Sequence, residues 1–340
     1  MATDDLGSAG SIAPPAPTLV ADGVWSIGVP IPTRTPPYTL AYALLGDDGV
    51  HLVDPGWDSP GNRQRLVEGL SAVGASIGDV RSVVATHHHP DHLGLAPFLR
   101  ETAGSRILLG RVEREVLAGA ADPRRLDPAF HLEALRRWGV PEHRRGELAA
   151  IAAAAPASIV DVEPDQLLDD GDELDLGGHR LRVVATPGHT DGHLCFVDEP
   201  RGLLYTGDQV LPRINPGVGL GALEASDPLR SDLDSLRRLG AFDDLLVLPG
   251  HEAPFRGLRA RRRQLAEHRL RRTREAVALR DELGDAPVWA WASRMTWTGG
   301  WDALAGFPLY AALGQTQRHV DLVRSGHAEA LIAAHDADAD

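Results

Sequence analysis

Six consecutive residues constrain this chain more than any others: His87-His88-His89-Pro90-Asp91-His92, directly after the apolar run 80–85. An apolar run of strand length that ends in a polar cluster sets that cluster at the edge of a sheet. On an extended chain, residues two apart point the same way, so His87 and His89 face one point. Asp91 and His92 follow the turn into a helix read over 93–99 and reach toward a second point. Imidazole and carboxylate suit zinc or iron at about 2.0–2.2 Å. His88 points the opposite way, toward packing or solvent.

Three further strand ends carry the same kind of side chain. Thr186-Pro187-Gly188-His189-Thr190-Asp191-Gly192-His193 puts His189 in a tight turn, Tyr205-Thr206-Gly207-Asp208 delivers Asp208, and Pro249-Gly250-His251 delivers His251. Loops at one edge of a sheet are where such sites are assembled. His193, four residues past His189, reads as a hydrogen-bonding support of the site. Cys195 lies in the apolar run Leu194-Cys195-Phe196-Val197 and reads as a buried thiol, and Tyr205 as core.

Composition narrows the classes. The chain has 340 residues, a formal net charge of −14, no lysine and one cysteine. Lysine Schiff bases, P-loops, disulfide frameworks and cysteine-cluster metal sites are therefore excluded. Net acidity disfavours non-specific nucleic-acid binding. No apolar run has the length of a membrane span, and the acidic N-terminus lacks a signal-peptide pattern, so a cytoplasmic protein is expected.

Strands read over 24–27, 39–45, 50–53, 167–176, 180–184, 194–197, 203–206 and 245–248, with a helix over 62–73, predict layered α/β packing. Residues 1–21 read as a disordered leader and 22–255 as the main domain. Within it, 112–158 shows no strand pattern and reads as a helical insertion. Residues 256–335 read as an arginine-rich helix followed by a small tryptophan-rich helical module, with a frayed end over 333–340.

These motifs, with Asp54-Pro55-Gly56, resemble the metallo-β-lactamase superfamily over about 22–255, in its thioesterase and glyoxalase II-like branch. The resemblance implies an αββα sandwich. It implies one metal on His87, His89 and His189, a second on Asp91, His92 and His251, and Asp208 bridging them. Asp54 would brace the ligand loop. Two divalent ions, zinc first with iron or manganese as alternatives, would generate a hydroxide nucleophile and polarise a carbonyl. Asp91 would steer the proton to the leaving group. The module after 285 is similar in outline to a winged helix.

The expected activity is hydrolysis of thioesters or related carboxylic esters, such as an acyl-CoA. Lactonase and endoribonuclease are the alternatives, the latter through Arg256, Arg259, Arg261, Arg262, Arg263, Arg269, Arg271, Arg272 and Arg274. Those guanidiniums read as phosphate ligands or as a solvated helix face. Phe130, Leu135 and Trp138 of the insertion, and Arg213, are candidate substrate contacts, the insertion acting as a lid or as a packing element. A small-molecule substrate is expected, with no membrane partner, and a homo-oligomer is compatible with the tryptophan cluster.

Overall fold

The computed structural model describes residues 13–32, 36–120, 127–154, 160–221 and 226–339. The leader over 1–12 and the parts of the insertion at 121–126 and 155–159 lie outside the described residues. One sheet runs in sequence order through β1 (Thr18–Ala21), β2 (Val24–Pro30), β3 (Tyr38–Gly46), β4 (Gly49–Val53), β5 (Val80–Val84), β6 (Arg106–Gly110) and β7 (Gln166–Leu168). It is antiparallel as far as β4 and parallel from there. The other contains β8 (Glu173–Leu176), β9 (His179–Ala185), β10 (Leu194–Asp198), β11 (Leu203–Gly207) and β12 (Leu246–Pro249), in the order β12-β11-β10-β9-β8.

The helices are α1 (Pro60–Ala72), α2 (Pro90–Leu93), α3 (Ala96–Ala103), α4 (Arg111–Ala120), α5 (Pro128–Arg137), α6 (Glu142–Ala154), α7 (Pro228–Arg238), α8 (Leu258–Leu283), α9 (Val288–Arg294), α10 (Gly306–Arg324) and α11 (Ala328–Ala339). Period-two alternation builds the layers. Leu40, Tyr42 and Leu44 of β3 meet Leu181, Val183, Phe196 and Tyr205 of the other sheet. Ala41 and Ala43 face the opposite way, onto Leu66 and Leu70 of α1 and Leu99 of α3. Cys195 and Val197 face Leu233 and Leu236 of α7 and Leu265 and Leu270 of α8. The order helix, sheet, sheet, helix is the αββα sandwich. Each fully buried leucine contributes about 1.5–3 kcal/mol of transfer free energy to it.

Several sequence boundaries shift. The expected leader includes β1, because Thr18 pairs with Ser26 and closes the edge of β2. Arg65 also binds the carbonyls of Pro14 and Pro15 at 3.1 and 3.0 Å. The single strand read over 167–176 is two, β7 and β8, placed in different sheets by a turn at Gly171 with φ +85°. α11 continues into the region read as frayed. Among the described residues after 256 only helices form, so the wing that the expected winged-helix outline would need is not there.

Candidate metal centre

Backbone hydrogen bonds between loops bring the strand ends together. Leu194 N–H donates to Thr86 O, Gly250 N–H to Gly207 O and Leu40 N–H to Gly250 O, at 2.9, 2.8 and 2.7 Å. Gly250 is demanded by close approach: a Cβ there would stand 2.6 Å from His92 Cε1 and 2.7 Å from Asp208 Oδ1. Pro90 opens the one-turn helix α2, which carries Asp91 and His92 inward from the end of β5.

Three of the imidazoles are aimed by their other ring nitrogen. His92 Nδ1 meets Asp54 Oδ2 at 2.9 Å, His189 Nδ1 meets Gly217 O at 2.8 Å, and His251 Nδ1 meets Tyr38 O at 2.8 Å. Their Nε2 atoms are thereby left facing the centre. Asp54 sits in the left-handed region at φ +54°. It also accepts from the Thr86 backbone and hydroxyl, both at 2.8 Å, so one carboxylate braces the whole His87 loop. His193 accepts from the Asp208 backbone N–H at 3.2 Å and holds Thr186 at 2.9 Å, a supporting position.

The facing atoms fall into two groups with Asp208 between them. His89 Nδ1 lies 2.9 Å from His87 Nε2 and 3.2 Å from His189 Nε2. Asp91 Oδ2 lies 3.4 Å from His251 Nε2 and 3.7 Å from His92 Nε2. Asp208 Oδ2 stands 3.7 Å from His189 Nε2, while its Oδ1 stands 3.3 Å from His251 Nε2 and 3.5 Å from His92 Nε2. Two buried atoms, His92 Nε2 and Asp208 Oδ1, have no hydrogen-bond partner. Buried polar atoms left open in this way are costly unless something binds them. With the ligand atoms of each triad within 4.8 Å of one another, the residues fit divalent metal ions.

The electrostatics divide the same way. Burial, reinforced by neighbouring imidazoles, pushes His87 and His89 well below the usual histidine range. Burial likewise lowers His189. Neutral imidazoles with free lone pairs are the form that binds metal. On the other side burial would also lower His92, but Asp91, Asp208 and Asp54 outweigh it and raise it to about 9. Asp208 is held well below the carboxylate range: burial opposes this, and His251, His92 and His189 override it. Of the seven donors only His89 and Asp91 are partly exposed, so the centre opens to solvent on their side.

One buried acid escaped the sequence reading. Glu113 of α4 is fully buried, and its Oε2 accepts from the His88 backbone N–H at 2.8 Å and pairs with His88 Nδ1. Its Oε1 accepts from the Thr190 hydroxyl at 2.7 Å and the Gly192 N–H at 2.8 Å. Burial would raise its pKa, yet His88 and these donors bring it to about 2. Glu113 thus ties the loop of His87 and His89 to that of His189. It begins the segment read as an insertion, where nothing in the sequence separates it from surface acids such as Glu115.

The substrate contacts expected from the insertion are placed otherwise. Leu135 and Trp138 pack with Val288, Ala292, Leu309 and Leu313, because the apolar faces of α5 and α6 are covered by α9 and α10. They form the core of a helical lobe. Phe130 is 45% exposed, and Arg213 is exposed and paired with Glu252 at 2.9 Å. Three arginines of α8 serve as internal struts. Arg261 holds Leu211 O and Ile214 O, each at 2.6 Å, Arg269 holds Pro216 O at 2.6 Å, and Arg262 pairs with Asp243 at 2.8 Å. Arg261 and Arg269 thereby fix the loop whose Gly217 carbonyl aims His189.

A two-sheet sandwich that collects five imidazoles and two carboxylates at one edge defines a class of metal-binding hydrolase folds. The chain belongs to the metallo-beta-lactamase superfamily, whose family model matches residues 34–251. It is 27% identical over 262 residues to the probable metallo-hydrolase YqjP of Bacillus subtilis, covering 75% of this chain and 80% of that one. It is 29% identical to the hydroxyacylglutathione hydrolase of Aeromonas hydrophila, over 59% of this chain and 58% of that one. The crystal structure of the metallo-beta-lactamase family protein TTHA1429 from Thermus thermophilus superposes with a TM-score of 0.72 at 30% identity, covering 91% and 95%. Among the described residues no helix is long and apolar enough to cross a membrane.

Proposed function

We propose that this protein is a dinuclear metal-dependent hydrolase of thioesters or related carboxylic esters. The observation that carries the reading is Asp208, whose two oxygens each face a different histidine group. His87, His89 and His189 would hold one divalent ion, Asp91, His92 and His251 a second, and Asp208 both. Zinc is the first candidate, and iron or manganese suit the same donors. Such a pair, when bound, supplies an activated water near neutral pH and a Lewis acid for a carbonyl oxygen.

The chain's own residues do the remaining work. Asp91, at the open side, would take a proton from the nucleophile and pass it to the leaving group. Asp54, Glu113 and His193 hold the donor loops at fixed separation, so little reorganisation is needed as charge develops. The likeness to a hydrolase named for a glutathione thioester supports the thioester class. The test is thiol release from acyl-CoA and acyl-glutathione esters by zinc-reconstituted protein, with Asp208→Ala as control. Metal-dependent release is expected. Absence of release from both, with the metal bound, would overturn the thioester reading and direct assays to oxygen esters and lactones.

A further inference from the structure

Outside the metal centre, a cleft between α8 and α10 gathers positive charge behind the loop that aims His189. Its interior is narrow, about 20 Å³, and opens to solvent at a mouth, and Arg269, Arg272 and Arg318 line it with Gln315. Arg269 is paired with Asp232 at 3.2 Å and Arg272 with Glu275 at 3.3 Å. Half-buried Arg318 and Gln315 have no hydrogen-bond or ion-pair partner among the described residues. A guanidinium drawn out of water without a counter-charge is costly, and a bound anion relieves it. His268 and His319 line the same cleft. Burial, and after it the neighbouring guanidiniums, push them down to about 4 and about 3.

The cleft is continuous with the loop. Val218, which lines it, follows the Gly217 carbonyl that holds His189. Arg318 Nε stands 3.3 Å from the point where a Cβ on Gly219 would sit. The Gly219 N–H donates to Gly188 O and the Leu220 N–H to His189 O, both at 2.8 Å. We propose that this cleft is an oxyanion-binding site, for a phosphate or carboxylate group, with Arg318 and Gln315 as its open donors. Occupancy would press on the segment that fixes His189.

The test is calorimetric titration of inorganic phosphate, coenzyme A, glutathione and pantetheine into the full-length protein, with the melting temperature followed in parallel. Phosphate is expected to bind and to raise the melting temperature. Arg318→Gln should weaken binding roughly tenfold, the loss of a charge-assisted contact. Arg318→Glu, which places a carboxylate in the cleft, should abolish it. Gln315→Ala removes no internal bond and decides the matter if either arginine variant fails to fold. Asp208→Ala should leave phosphate affinity unchanged, because the metal centre is not the site tested. Coenzyme A binding with silent pantetheine would assign the anion to a phosphorylated thiol, glutathione binding to a carboxylate, and phosphate binding alone to a free ion. Equal phosphate affinity in wild type and the Arg318 and Gln315 variants, or its loss in Asp208→Ala, would overturn the proposal.

Discussion

The metal-binding edge of the sandwich and the helical lobe beside it are stabilised in opposite ways. At the edge, polar atoms converge, and His92 Nε2 and Asp208 Oδ1 lack partners inside the protein. In the lobe, Leu135, Val140 and Leu148 of the insertion share one apolar core with Val288, Leu309 and Leu313 of the C-terminal helices. The Trp289 N–H closes that core by donating to Trp138 O at 2.8 Å. The edge therefore leaves polar atoms open at the cost of stability, and the lobe is held by an apolar core of its own. Mutations in the two regions should separate these properties.

The largest effect is expected at the edge. Asp208→Ala should lower metal content and reduce hydrolysis on the order of a thousandfold, several kcal/mol of transition-state stabilisation. Elemental analysis and thiol-release rates measure both. A variant that kept its metals and its rate would remove the bridging role. In the lobe, Leu135→Ala should cost about 2–5 kcal/mol of folding stability in urea while leaving metal content unchanged. Trp138→Ala should destabilise similarly and treat short and long acyl chains alike. Selective loss of long-chain substrates would restore the lid expected from the insertion's apolar face.

The contrast also explains what the sequence made legible. The donors could be found because each lies in a segment that follows a strand whose apolar run is visible, as in 80–85 before His87 and Leu248-Pro249 before His251. The braces could not. Asp54 showed through its Asp-Pro-Gly turn, but the carbonyls of Tyr38 and Gly217 carry no residue-type signal, and Glu113 reads as one surface acid among several. The lobe was hidden for a different reason. Its halves, more than a hundred residues apart, are joined mainly by packing, and periodicity reports which face is apolar without saying what covers it.

Glu113 lies between the extremes, since it supports the edge from α4 through the His88, Thr190 and Gly192 contacts. Glu113→Gln keeps the shape but replaces one oxygen by NH₂, so an amide donor must face either the His88 donors or the Thr190 and Gly192 donors. Loss of such supporting contacts costs roughly 10–100-fold in metal affinity. Competition with a zinc chelator should show that loss with little change in circular dichroism. Unchanged affinity would mean that the two loops hold their spacing without it.

The smallest effect concerns an imidazole of the helical region, and its sign is opposite to that at the edge. His92 is raised by acids, whereas His319, buried on α10 with Nδ1 3.0 Å from the Thr273 hydroxyl, is lowered to about 3 by burial and then by Arg272, Arg269 and His268. Its unfolded value is about 6.5. Above that pH neither state binds the proton, and this stabilising difference is fully present. As pH falls below 6.5 the unfolded chain takes up a proton that the folded chain refuses, and stability drops by roughly 1.4 kcal/mol per pH unit until about pH 3. His319→Gln removes this dependence. Its destabilisation relative to wild type, measured in urea, should therefore shrink by about 2 kcal/mol between pH 7 and pH 5. A difference independent of pH would mean that His319 protonates within the fold, and that the positive field around α8 and α10 is already neutralised.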